Sequence, residues 1–335
     1  MSDRIDAWTH IFPQAYFARL QTMASAAGPL RRWLELKPLY DLDHRFRLMD
    51  GFAGYRQLLT PSMPPIEDLA DGALAVDLMR LMNDGLAELV LLHPDRFPAF
   101  AAALSLHDVD AAVAEIGRAD RMGAAGFQLC THVRGSPLDH PRFAPVFDEI
   151  ARRGLAIWLH PVRGPTPDYP GETKSRYEIW WCFGWPYDSS VAMSRLVFSG
   201  LFDRHPDLKI ITHHMGAMIP YFAGRIAQGW GLEMGSRTPP ADAGLLPGPL
   251  QRPAEEYFRM FFADTALSGA VGATRCGLDY FGADKVVFAS DFPFDAEGGS
   301  YLVRETIKAL DALELSEAVR HRIDIGNISK LIHRH

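Results

Sequence analysis

The chain has 335 residues, 48% of them hydrophobic, and a formal charge of −7. That is apolar enough for a large core, and it offers no basic stripe for nucleic acid. Three cysteines, Cys130, Cys182 and Cys276, stand far apart with no CxxC pair, which argues against a disulfide framework or a cysteine-zinc knuckle. No apolar run reaches the ~18 residues of a membrane span, and the first six residues are polar with no signal-peptide core, so a soluble, cytoplasmic protein with no membrane contact is expected.

Short apolar runs suited to buried strands occur at residues 5–7, 56–59, 99–103, 126–129, 155–159, 208–212, 260–263 and 286–289. Between them lie segments with helical spacing, at 67–93, 109–121, 145–153, 191–202, 218–228 and 274–280. The stretch 235–253, rich in Gly, Pro and Ala, reads as a long surface loop and not as a boundary, because the alternation resumes beyond it. Eight strands separated by helices predict an α/β fold, a (β/α)8 TIM barrel, with residues 1–335 forming one domain. An open doubly wound sheet is the alternative. It would want a glycine-rich phosphate turn after the first strand, where Asp6 is followed by Trp8, Thr9 and His10, and no GxGxxG or P-loop occurs in the chain.

Polar residues with an affinity for metals stand at the C-terminal ends of four of these strands. They are Asp6 with His10, His160, the pair His213-His214, and Asp291. In a barrel these ends share one mouth, and imidazoles with one carboxylate suit a divalent cation such as Zn²⁺. A lone histidine after a strand is ordinarily a cap or a core-edge residue, and Asp291 could simply cap the next segment; it is the joint occurrence that points to a metal. Side chains alternate along a strand, so at most one of His213 and His214 is expected to face the centre. Of the other histidines, His93, His107, His205, His321, His333 and His335 read as loop or helix residues. His132 and His140 carry no assignment, and His44 could reach the site from an early loop.

At this point the residues resemble a known family. Ile5-Asp6-x-x-x-His10-x-x-Pro13, Leu159-His160-Pro161, Phe198-Ser-Gly-Leu-Phe-Asp-Arg-His-Pro206, Leu208-Lys-Ile-Ile-Thr-His-His-Met-Gly216 and Ser290-Asp-Phe-Pro-Phe294 run through almost the whole chain, and Gly326-Asn327 begins the last helix. Together they are similar to the amidohydrolase superfamily, in the branch of aminocarboxymuconate-semialdehyde decarboxylase and γ-resorcylate decarboxylase. The resemblance implies that His10, His160 and Asp291 ligate a metal, zinc or alternatively manganese, and that His214 is an acid/base or a distal ligand. It implies that Arg225, sometimes from a neighbouring subunit, and Arg47 or its neighbour Arg45 meet a substrate carboxylate. A homodimer or higher homo-oligomer follows the family habit.

One departure matters. Relatives place His-x-His or Glu-x-His at the end of the first strand, and this chain has Trp8-x-His10. Indole donates a hydrogen bond and cannot ligate a metal, so water or His214 fills the gap, metal affinity falls, or the pocket has been reshaped for a larger aromatic substrate. Trp8, Phe292, Phe294 and the run Trp180-Trp181-x-Phe183-x-Trp185-Pro186-Tyr187 could wall an aromatic pocket, and the run could equally bury itself in a dimer. The expected activity is non-oxidative decarboxylation of a hydroxylated or amino-substituted aromatic, or muconate-like, carboxylic acid, with Asp291 or His214 delivering the proton. Metal-assisted hydrolysis of a lactone or cyclic amide is the alternative, and a metal-free binding barrel the third reading.

Overall fold

The computed structural model describes residues 3–24, 31–234, 238–246 and 248–332. Eight parallel strands form the barrel wall: β1 (Arg4–Ile11), β2 (Tyr55–Pro61), β3 (Ala101–Ala103), β4 (Gly126–Cys130), β5 (Ala156–His160), β6 (Lys209–Thr212), β7 (Phe262–Asp264) and β8 (Val286–Val287). Ladders run unbroken from β3 to β8, and a second ladder joins β1 to β2. Two seams close the ring. The Leu59 N–H donates to the Ala99 carbonyl at 3.1 Å between β2 and β3, and the Ala7 N–H to the Phe288 carbonyl at 2.8 Å between β8 and β1.

Every strand expected from the sequence is present. β1 runs on to Ile11, past a register shift between Asp6 and Thr9, so His10 lies within the strand. The helices used below are α1 (Gln14–Ala24), α2 (Leu42–Asp50), α3 (Gly72–Leu92), α4 (Val109–Arg121), α5 (Ala144–Arg152), α6 (Gly184–Phe198), α7 (Ala223–Gln228), α8 (Val271–Phe281), α9 (Ser300–Asp311) and α10 (Asn327–Ile332). α4 shows why the spacing was readable. Asp108 caps it by accepting the Ala111 N–H at 2.9 Å, and Ala112, Ile116 and Ala119 bury one face at helical spacing.

Three helices differ from expectation. The 67–93 segment splits at Gly72 (φ +55°), the 191–202 segment begins at Gly184 and breaks at Gly200 (φ +72°), and only 223–228 of the 218–228 segment is helical, beyond Pro220. In the 235–253 stretch the described residues carry one 3₁₀ turn, Pro240–Leu245. Residues 235–237 and 247, with His333 and His335, lie outside the described residues. No helix among the described residues is long and apolar enough to cross a membrane.

The barrel interior is filled unevenly. Trp8 and Trp158 are fully buried there among small neighbours such as Ala99, Ala101, Ala125 and Ala156. Trp158 donates its indole N–H to the Ala7 carbonyl at 2.9 Å. Gly126 makes room for it, since a Cβ there would stand 2.6 Å from the Trp158 ring and 2.1 Å from the Ala156 carbonyl. Two indoles thus take the volume that branched aliphatics fill in most such barrels. Ile328 and Leu331 of α10 join the same interior cluster, and Asn327 at the start of that helix donates to the Ala283 and Val286 carbonyls at 2.7 Å.

Candidate metal centre

The C-terminal strand ends bring His10, His160, His213, His214 and Asp291 together. One nitrogen each of His10, His160 and His213 lies within 4.8 Å of the others, and His213, His214 and Asp291 form an overlapping group with the same spacing. His10, His160 and His213 are at most 1% exposed. Asp291 Oδ1 stands 3.3 Å from both His10 Nε2 and His213 Nε2, and Oδ2 stands 3.7 Å from His214 Nε2.

Each of the three buried rings is held by its other nitrogen. His10 Nδ1 donates to the Pro61 carbonyl at 2.8 Å, His160 Nδ1 to the Pro161 carbonyl at 2.6 Å, and His213 Nδ1 to the Asp264 carboxylate. The Nε2 atoms of His10 and His213 are buried and make no well-formed hydrogen bond. A buried polar atom without a partner costs about 1–3 kcal/mol, and two of them converging on one carboxylate oxygen fit a cation. Histidines that bind metals characteristically donate their remote N–H to a carbonyl or carboxylate, and this is the arrangement here.

The backbone explains how His213 and His214 both arrive. After β6 the chain turns left-handed at His214 (φ +56°), Met215 (φ +55°) and Gly216 (φ +74°), so the extended alternation ends before it can send one ring away. The two rings stack at 3.9 Å with 28° between planes. The expectation that at most one of them faces the centre is therefore overturned. Asp264 Oδ1 secures the turn by accepting the Met215 N–H at 3.1 Å. Gly216 must lack a side chain, because a Cβ would meet the Phe281 ring at 2.5 Å. Asp291 is itself left-handed (φ +67°), a conformation Asp adopts more readily than most residues.

The charges respond to this crowding. Burial, with His10 and His213 alongside, pushes the His160 pKa well below the usual imidazole range. Burial and His213 also lower that of His214. Burial opposes ionisation of His213 too, yet Asp264 and Asp291 overcome it and raise its pKa to about 9. Burial works against the Asp291 carboxylate, but three imidazoles hold it well below the usual carboxylate range. Two buried carboxylates facing imidazoles whose charging burial opposes make a site suited to a cation.

Comparison with known proteins gives the lineage. Residues 5–334 match the family described as Amidohydrolase. The chain is 32% identical over 338 residues to the γ-resorcylate decarboxylase of Rhodococcus jostii, covering 95% of this chain and 96% of the relative. The chain belongs to the amidohydrolase family. Within it, the chain falls in the branch of γ-resorcylate and 2-amino-3-carboxymuconate-6-semialdehyde decarboxylases. A dihydroxybenzoic acid decarboxylase from a Polaromonas species, solved with bound manganese and the inhibitor 2-nitroresorcinol, superposes with a TM-score of 0.77 at 25% identity, over 99% of this chain and 97% of the other. A 5-carboxyvanillate decarboxylase from Sphingomonas paucimobilis shares the fold, with a TM-score of 0.83 at 24% identity over 99% of each chain.

The other residues singled out in this amidohydrolase divide sharply. Phe294 packs against His10, with centroids 5.1 Å apart. Trp8 is fully buried and stacks on His213 at 4.1 Å and 18°, and its own indole N–H has no acceptor. Trp185 reaches His160, at 5.7 Å, whereas Phe183 is exposed and Tyr187 lines an outer groove, so the aromatic run serves both directions. Arg45 is the buried member of its pair. It donates to the His10 carbonyl at 2.7 Å and to Gln57 Oε1 at 2.6 Å, with its guanidinium 4.7 Å from the Phe292 ring centre. Arg47, two positions further along α2, is exposed. Arg225 on α7 is exposed in the same groove as Tyr187, whose lining includes none of the clustered histidines. His44 lies beside Gly298 and outside the cluster.

One buried acid escaped the sequence reading, and another, Asp6, was named there only as a metal-liking residue at a strand end. Asp264 ends β7 and orients His213; its position directly after an apolar strand was the available signal. Asp6 lies below the site, accepting the hydroxyls of Tyr55 (2.7 Å) and Ser290 and the backbone N–H groups of Trp8 (3.2 Å) and Ser290 (3.1 Å). Asp6 therefore ties β1 to the segment that carries Asp291.

Proposed function

We propose how this chain works as a metal-dependent non-oxidative decarboxylase of hydroxylated aromatic carboxylic acids. The observation that carries the reading is the convergence of buried, anchored imidazoles on Asp291 at the mouth of a barrel whose relatives decarboxylate such acids. His10, His160 and Asp291 hold the metal. Their nitrogen and oxygen donors suit zinc, and the same donors accept the manganese that a relative's structure contains. When bound, the metal supplies positive charge that stabilises the anion developing on the substrate.

Phe294 and Trp185, beside His10 and His160, offer two faces against which an aromatic ring can pack. His214 Nε2 and Asp291 Oδ2 face each other at the partly open side of the cluster, where each side chain is about one-fifth exposed, and relay a proton taken up from solvent. A proton passes from this pair to the ring carbon that bears the carboxylate. The carbon–carbon bond then breaks, carbon dioxide leaves, and the bonding electrons restore the aromatic ring. Arg225 and Arg47, both with exposed guanidinium groups, are the partners for a substrate carboxylate.

Arg225 acts across a homodimer in this reading. Its groove, about 580 Å³, is walled by Met218, Phe222 and Trp230, with exposed Tyr221 packed on Phe222, and a second copy would cover it. Residues 1–335 act as one catalytic domain on a freely diffusing acid in the cytoplasm. Incubating metal-loaded protein with hydroxybenzoates and hydroxypyridine carboxylates, with lactones and cyclic amides alongside, tests the activity. Carbon dioxide release from ortho-hydroxy acids is expected. Ring opening of a lactone or cyclic amide, with no carbon dioxide from any acid, would contradict it.

A further inference from the structure

We propose that His213 is a metal ligand in its own right, making the bond that Trp8 cannot make. The proposal rests on the metal-dependent reading above and adds to it a ligand at a different place in the chain. Position 8 presents an indole, which has no lone pair to give a metal. The barrel mouth nevertheless holds a third buried imidazole whose Nε2 points at Asp291 Oδ1.

Two contacts set His213 apart from a packing residue. Its Nδ1 is pinned by the Asp264 carboxylate, itself fully buried and fixed by the backbone N–H groups of Met215 and Ala266, both at 3.1 Å. That contact fixes the tautomer needed for Nε2 to coordinate. The Trp8 ring, stacked on it at 4.1 Å, then prevents the imidazole from swinging out of the cluster. The residue that removed one ligand thereby holds its replacement.

The spacing agrees. Two nitrogen or oxygen atoms bound to one tetrahedral zinc at about 2.0–2.1 Å stand roughly 3.3 Å apart. His213 Nε2 and His10 Nε2 are each 3.3 Å from Asp291 Oδ1, and His160 completes a three-imidazole group with a nitrogen within 4.8 Å of the other two. His214 does not compete for this place. It faces the other oxygen of Asp291 at 3.7 Å, its Nδ1 is buried without an anchor, and it is not in the group formed by His10 and His160.

The test uses the full chain loaded with Co²⁺. Proton NMR of the cobalt protein counts ligating histidines through their exchangeable, metal-shifted Nδ1–H signals, and competition against a chelator gives the affinity. Three shifted N–H signals are expected in the parent, from His10, His160 and His213. His213→Gln should lose one signal and bind Co²⁺ at least tenfold more weakly. Only two signals in the parent, or unchanged affinity in the variant, would overturn the proposal, leaving His213 a charged partner of Asp264 and the metal reading intact. A parent that takes up no cobalt would remove both readings together. Should His213→Gln fail to fold, the signal count in the parent decides alone.

Discussion

The floor of the barrel mouth and its rim are built on opposite principles. On the floor, His10, His160 and His213 are buried and each is held by a carbonyl or a carboxylate, so the rings have one orientation available. On the rim, Arg47, Arg225, Phe183 and Tyr221 stand exposed. A site anchored in this way fixes what charge it can hold, while exposed side chains keep their rotamer freedom. The chemistry of the centre is therefore specified more tightly than its substrate.

The largest way to sharpen this contrast is to loosen one anchor. In Asp264→Asn the amide has one acceptor for the three donors that Asp264 now serves. Its NH₂ group turned towards His213 would move the imidazole proton to Nε2, where it blocks coordination. Metal affinity should fall about 10–100-fold, read by chelator competition, with the barrel still folded by circular dichroism. Unchanged affinity would mean that the floor is less constrained than its hydrogen bonds imply.

A comparable effect, on folding stability instead of metal affinity, lies deeper. Burial raises the Asp6 pKa to about 6, with the hydrogen bonds from Ser290, Tyr55 and Trp8 pulling the other way. The folded pKa exceeds the unfolded value of about 3.9, so the folded state binds more protons between the two. Stability from this group is full below about pH 4 and is lost as pH rises to about 6, by up to roughly 3 kcal/mol. Asp6→Asn should flatten that part of the profile in denaturant melts from pH 4 to pH 7. A slope that persists unchanged would assign it to another group.

The smallest effect on the centre belongs to the rim. Phe222→Asp places a charge in the Arg225 groove and should turn the proposed dimer into a monomer in light scattering, while metal content stays the same. Loss of metal in that variant would erase the distinction between rim and floor.

The same division decides what the sequence made legible. Strand positions could be read because each apolar run is buried by both layers, and His10, His160 and Asp291 stood out as metal-liking residues at strand ends. The His213-His214 pair misleads a reading by alternation because alternation assumes an extended chain, and His214 and Met215 are left-handed. Arg45 and Arg47 could not be told apart without the phase of α2, since two positions along a helix turn a side chain by about 200°. Asp264 looked like an ordinary acid until the fold brought it to His213, some fifty residues away in sequence. The run around Trp185 was ambiguous because its aromatics divide between the site and the outer groove.

The central claim is that this mouth holds a divalent metal although Trp8, two residues before His10, cannot ligate one. Elemental analysis of the purified chain, repeated for His160→Ala and Asp291→Ala, tests it most directly. Near-stoichiometric zinc or manganese in the parent, lost from both variants, is the predicted result. A parent that remains empty after zinc and manganese are added would contradict the account and leave the clustered imidazoles without a cation to hold.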